Sequence, residues 1–368
     1  MKRYVIAVTL MLNLGLTVKA QTDAPVDSVT TEAPAEKHKL SLIRRIIRGF
    51  DRLDKRYIEP QHYLFTAMLQ STQNYDYYRL SGVGDEALSV TFAPDINLKV
   101  GPYIGWRWVF LGYTFDLRNL NFRNLKQEID LSIYSSQIGL DLFYRRTGND
   151  YKLREVSFPD GRDDSRLVGQ PFDGVRAGIT GLNVYYIFNH GRFSYPAAFA
   201  QSTCQKISCG SWLTGIGYTQ NSLDFEYDRL HSLLTAYYPN DPVPVDSGLM
   251  FRSLRYHDFS VSGGYAYNWV FAKNWLLAAS LQAAIAYKKS TGNMTIDDAE
   301  GFRFENVNFN GIGRFGLVYN NMRWYAGLSA IVRSYNYHKS RFSTNNTFGT
   351  INLYAGVNFG LKKKYRKP

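Results

Sequence analysis

Two stretches carry residue types that could do chemistry: His231-Ser232 and His257-Asp258-Phe259-Ser260. A serine activated by a histidine, with a carboxylate orienting the histidine, attacks and transfers acyl groups. On a membrane-embedded scaffold this would make a lipid-modifying enzyme with a Ser/His site at the rim. Neither stretch has the His-x-Ser-Asn spacing of such a site, and six histidines among many serines produce such neighbours by chance. They read more simply as loop residues, and the sequence predicts no catalytic residue. Nucleotide-binding loops, paired catalytic carboxylates and metal-ligand clusters are missing from the sequence, so no cofactor or metal is expected. Asp163-Asp164 and Asp297-Asp298 could bind Ca²⁺ weakly, but loop carboxylates are usually just solvated. Cys204 and Cys209 are close enough to cross-link a loop in an oxidising compartment; the alternative is two free thiols.

A second set is electrostatic. Lys99, Arg107, Asp116, Asp141, Arg145, Arg314 and Arg333 sit among small or polar residues that alternate with apolar ones. If the apolar alternates face lipid, these charges point into a lumen, where each must pair or meet water. They would form either an Arg and Asp network that braces the lumen or a constriction favouring anions, since the basic groups outnumber the acidic ones.

Both readings need strands, and the stretch from His257 to Lys289 shows them. Phe259, Val261, Tyr265, Tyr267, Trp269 and Phe271 alternate with small or polar residues. After a turn at Ala272 to Asn274, Trp275, Leu277, Leu281, Ile285 and Tyr287 share one face, against Ser280, Gln282, Ala284 and Ala286 on the other. Aromatics at both ends of an apolar face, with aliphatics between, suit a surface that touches lipid. The same period recurs from His62 to Leu361, including segments at Ile129 to Arg145 and Phe193 to Ala200. The tally is about thirteen segments, whereas bacterial single-chain barrels have an even number. Twelve strands are therefore predicted: either Leu88 to Phe92 is not a full crossing, or the pair around Cys204 stays outside the membrane. The fold class is an all-β antiparallel transmembrane β-barrel with a short N-terminal amphipathic helix, its barrel at 59–361 and a basic tail at 362–368.

Composition agrees. Aromatics make up 15% of 368 residues, yet mean hydropathy is only −0.29, which fits a barrel in which alternate residues are apolar. Lys2 and Arg3 precede an apolar run from Tyr4 to Val18, and Val18-Lys19-Ala20 has the form of a signal peptidase site, so 1–20 is predicted to be a cleavable signal peptide directing export to a Gram-negative outer membrane. Residues 21–37 form a disordered lead-in. Across 38–58, Leu40, Ile43, Ile46, Ile47, Phe50 and Leu53 recur at helical spacing among arginines. The formal charge of +12 suits lipid headgroups, lipopolysaccharide or small anionic solutes; nothing suggests a nucleic-acid reader.

Two stretches carry a resemblance. Asp54 to Pro60 contains Asp-x-x-Tyr-Ile, and Arg192 to Gln201 followed by Gln205 to Gly215 reads RFSYPAAFAQ and QKISCGSWLTG. These are similar to the signatures of DUF4421, a family of Bacteroidota. The resemblance implies an outer-membrane barrel and no assigned activity. Pro196 stands where the family pattern has Arg, and the two cysteines depart from it as well.

Overall fold

The computed structural model describes residues 53–82, 87–106, 109–112, 115–116, 127–148, 150–162, 164–240, 249, 252–290, 307–339 and 342–366. The predicted signal peptide, the lead-in, most of the amphipathic segment, Arg107, Asp163, Asp297 and Asp298 lie outside them. In chain order the elements are β1 (Ile58–Pro60), β2 (Tyr63–Gly82), β3 (Ser89–Pro94), β4 (Asn97–Trp106), β5 (Val109–Gly112), β6 (Phe115–Asp116), β7 (Gln127–Tyr134), β8 (Ile138–Arg146), β9 (Tyr151–Ser157) and β10 (Val175–Ile187). They continue with α1 (Tyr195–Phe199), β11 (Thr203–Gln205), β12 (Cys209–Phe225), α2 (Tyr227–Tyr237), β13 (Ser253–Ala272), β14 (Trp275–Ser290), β15 (Val307–Asn320), β16 (Trp324–Lys339) and β17 (Phe342–Leu361).

The large sheet is antiparallel and runs β5-β4-β2-β17-β16-β15-β14-β13-β12-β10-β8-β7, twelve positions among the described residues. It curls on itself. Glu128 of β7, at one end of that path, accepts from Lys99 Nζ of β4 at 2.8 Å and from Asn74 Nδ2 of β2 at 2.6 Å, near the other end.

Twelve emerges from the predicted segments through three differences. Leu88 to Phe92 is not a crossing: β3 bridges the far end of β2 to β9. Ile129 to Arg145 is a hairpin, because Ser135 turns the chain through bonds between its backbone and side chain and Ile138. Phe193 to Ala200 alternates like a strand but forms helix α1. Ser194 Oγ accepts from Ala197 N as an N-cap, and Pro196 opens the helix, where its missing N–H costs nothing. Residues 53–57 are likewise a turn leading into β1, which begins at Ile58, not the end of a helix.

Alternation sorts the two faces. Trp212, Ile216, Val261, Trp269, Leu281, Ile285 and Leu353 are exposed on the outside, Leu281 to 70%. Ala266, Ala284, Ala286, Ser280 and Gln282 are buried inside. One end has short turns, Ala272 to Trp275 and Asn320 to Trp324, and gathers residues 53–62 and the C-terminal end of β17. The predicted solvated tail folds back there: Lys362 Nζ donates to Gln61 O at 2.7 Å, and the Tyr365 ring packs at a tilt against His62, centroids 4.0 Å apart. The opposite end has the long connections.

Candidate functional site

The lumen is occupied at four levels. At the short-turn end, the connection from β10 to β12 turns back into the barrel as a plug. Tyr195, Ala197 and Ala198 of α1 are buried against Leu276, Ala278, Val318, Tyr185 and Leu213 of the wall. Its polar atoms are matched as well: Tyr195 Oη donates to Ser280 Oγ at 2.6 Å, Asn268 Nδ2 to Ser194 O at 2.8 Å, and Gln201 Nε2 to Tyr354 Oη at 2.7 Å. A buried plug with its polar groups satisfied by the wall is held by specific bonds as well as by apolar contact.

The waist is crossed by charge. Arg314 of β15 pairs with Asp141 of β8, both side chains fully buried, and Ser132 Oγ donates to the same carboxylate at 2.7 Å. Arg333 of β16 donates to both oxygens of Asp130 on β7, at 3.0 and 3.3 Å. Arg145 of β8 lies 3.7 Å from Asp130 and donates to Thr350 Oγ1 of β17 at 3.2 Å. Aromatic rings flank the guanidiniums: Tyr185 lies 5.1 Å from Arg314, Phe143 5.0 Å from Arg333 and Phe348 4.6 Å from Arg145. Strands five to seven places apart in the sheet order are thus tied across the tube.

Further along, Lys288 and Asp258 face each other at 3.4 Å, each about 1% exposed, with Asn310 Nδ2 donating to Asp258 at 2.8 Å. Beyond them an apolar cap fills the long-connection end. Tyr78 and Leu80 of β2, Val175 of β10, Leu223 of β12, Leu254 and Tyr256 of β13, Tyr337 of β16 and Phe342 of β17 join one cluster with Phe92, Leu153, Phe172 and Leu230. Strands from around the wall meet there, so that mouth is packed.

The charges expected in the lumen are therefore largely brought together: Asp141, Arg145, Arg314 and Arg333 at the waist, and Lys99 with Glu128 beside them. Of Asp116 only the backbone is described, opposite Lys99. Asp130 joins these charges from a position that strand parity assigns to the other face. Reading Ile129 to Arg145 as one strand gives Asp130 the opposite parity to Asp141 and sends it to the lipid side; the Ser135 turn resets the phase.

The rim Ser/His arrangement is not formed. His257 faces outward and bonds Tyr218 Oη at 2.7 Å, whereas Ser260, an odd number of residues along β13, lines an interior cavity with Asn183 and Gln282. On α2, Ser232 Oγ is spent on Asp228 O, and His231 packs beside Tyr227.

Cys204 and Cys209 are free thiols with separate partners: Cys204 Sγ donates to Asn320 O at 3.4 Å, and Asn189 Nδ2 approaches Cys209 Sγ at 3.1 Å. Burial pushes the Cys204 thiol up to about 12. Maleimide at pH 7.5 should therefore label Cys209 first and Cys204 only after unfolding, as read by peptide mass spectrometry; equal labelling of the folded protein would contradict this.

Wall glycines make room for the rings. A Cβ on Gly181 would lie 2.1 Å from Phe143, the ring beneath Arg333. Gly181→Ala should displace that ring and cost about 1–3 kcal/mol, read as a lowered urea midpoint in detergent. An unchanged midpoint would show that Phe143 can move freely.

The two stretches with a family-like sequence meet in the plug. β1 pairs with β11 over Ile58↔Gln205, Glu59↔Cys204 and Pro60↔Thr203, and Asp54 N donates to Gly191 O at 2.8 Å. The model of a family described as "Domain of unknown function (DUF4421)" matches residues 52–359. The chain belongs to the DUF4421 family. In this DUF4421 protein the two resembling stretches are joined through β1 and β11, and the second runs on into wall strand β12. No curated relative matches. Among solved structures, the chain is similar to the outer membrane protease OmpT from Escherichia coli at 9% identity, TM-score 0.34, over 80% of this chain and 97% of that one. The translocator domain of autotransporter NalP from Neisseria meningitidis gives 10%, 0.27, 88% and 97%. The P. putida toluene transporter TodX gives 8%, 0.21, 80% and 91%.

Proposed function

We propose that this DUF4421 protein is an outer-membrane β-barrel that is closed at rest, an envelope structural or interaction protein whose charged lumen braces the wall and carries no solute. The placement is supported by the outer face, where exposed Trp, Tyr and Phe flank an aliphatic band. The predicted signal peptide agrees with it. What carries the closed reading is the waist: Arg314 and Asp141 are fully buried and bonded across the tube, between a plug on one side and an apolar cap on the other. That bridge has no exposed surface, which supports a lumen closed where it crosses. The long connections of the cap end then present the surface available to partners. The test is planar-bilayer recording of the folded chain without its first 20 residues. Silent membranes are expected, and unitary currents from the intact protein would refute the reading.

A further inference from the structure

On the outer wall of β8, β10, β12, β13 and β14, the apolar face turns basic in register. Tyr218, Phe259 and Tyr287 stand opposite one another. One step beyond, Gln220, His257 and Lys289 form the next row. The row after that is Arg146, Gly178, Ser222 and Arg255, across four strands. Arg146, Arg255 and Lys289 are exposed, while their chain neighbours Arg145, Tyr256 and Lys288 are buried in the lumen. Arg176 lies one step further on, opposite Asp224, the acid on these rows among the described residues.

Height places these cations. From Trp269 to Phe259 the outward face of β13 is apolar or small over ten residues, about 33 Å of strand at roughly 3.3 Å per residue. A tilt of about 40° reduces this to about 25 Å, the height of a lipid-facing band. The cations therefore sit at headgroup level, at the end with the long connections, which in outer-membrane barrels is the cell exterior. Just inside the band, Gly263, Ala283 and Gly311 lie in one row, with open space over Gly263 and Gly311. Val261, Ile285 and Phe309, exposed by 59 to 66%, rim this trough. The wall of β16 and β17 differs: above Val332 it carries Ser334, Asn345 and Thr347, which bond to one another.

We propose that the β8 to β14 wall binds a phosphorylated glycolipid of the outer leaflet. Arg146, Arg255 and Lys289 take the phosphate charge, Ser222 and Gln220 meet sugar hydroxyls, and acyl chains lie in the trough. Guanidinium forks match phosphate oxygens, and hydroxyls beside them suit a sugar. This rests on the outer-membrane reading above.

The experiment measures binding of lipid A, dephosphorylated lipid A and inorganic phosphate to the folded full chain in nanodiscs. Replacing Arg146, Arg255 and Lys289 together by Gln should weaken lipid A binding on the order of a hundred-fold, and removing the phosphates from the lipid should do likewise. Asn345→Ala with Thr347→Ala should leave it unchanged. Equal affinity in the triple variant, or displacement of lipid A by inorganic phosphate at matched concentration, overturns the proposal. Failure of the folded chain to insert into lipid at all refutes the outer-membrane placement instead; insertion with unaltered lipid affinity in the triple variant refutes the site alone. Heat-modifiable migration of the triple variant establishes that it is folded.

Discussion

Asp141→Asn should destabilise the barrel by about 3–5 kcal/mol, the cost of leaving one buried member of an ion pair without its counter-charge. Asp141 and Arg314 have fully buried side chains, so water cannot take over the guanidinium when the carboxylate is gone. The amide keeps the shape and the bond from Ser132 Oγ but loses the charge. The next acid, Asp130, already serves Arg333 and Arg145. The effect should be strongly non-additive. Replacing the pair together, Asp141→Leu with Arg314→Met, removes both desolvation penalties and should return most of the lost stability. Urea unfolding followed by tryptophan fluorescence in phospholipid vesicles measures both. A cost below about 1 kcal/mol for the single change would mean that solvent reaches the pair, and the waist would then not be a seal.

How much of this was legible in the sequence follows from what period-2 alternation encodes. It reports which face a residue takes within a strand, so the sequence alone assigns Tyr265, Trp269, Trp275 and Leu281 outward and Ala284 and Ala286 inward. It does not report where a strand ends. Ser135 therefore concealed a hairpin, and with it the lumen role of Asp130. Nor does alternation tell a strand from a short helix: Phe193, Tyr195, Ala197 and Phe199 kept the strand period although Ser194 and Pro196 signalled a helix start. The lumen charges could be named from parity alone, but their partners could not. Which arginine meets which aspartate depends on how far the sheet curls, and sequence separation is no guide when Arg314 and Asp141 are 173 residues apart. The Ser/His pairs failed for two reasons: His257 and Ser260, an odd number of residues apart in a strand, lie on opposite faces, and on helix α2 the Ser232 hydroxyl is bonded to the Asp228 carbonyl.

Removing one closure should not open the barrel, whereas removing two should. Replacing residues 192–207 by a short Gly-rich turn takes out α1 and β11, but the cap cluster and the waist remain, so bilayers should stay silent. The cap can be thinned with little strain on the wall. Thr147 N donates to Ala177 O at 2.9 Å and Ala177 N to Thr147 Oγ1 at 2.8 Å, so the ends of the 150–173 connection are already adjacent and a short linker can join them. That deletion removes β9, Phe158, Leu167 and Phe172 from the cluster. With plug and cap both shortened, what remains is the waist, where Arg145, Arg314 and Arg333 face Asp130 and Asp141. Loss of packing on both sides exposes that bridge to water, in which such a pair is worth at most about 1 kcal/mol and opens readily. The double deletion should therefore give unitary currents with a modest preference for anions, because three guanidiniums outnumber two carboxylates there. Adding Arg314→Gln and Arg333→Gln should reverse the preference. Silence from a double deletion that still shows the heat-modifiable band of a folded barrel would place the closure in the strands themselves, and currents from the plug deletion alone would show that the cap does not seal.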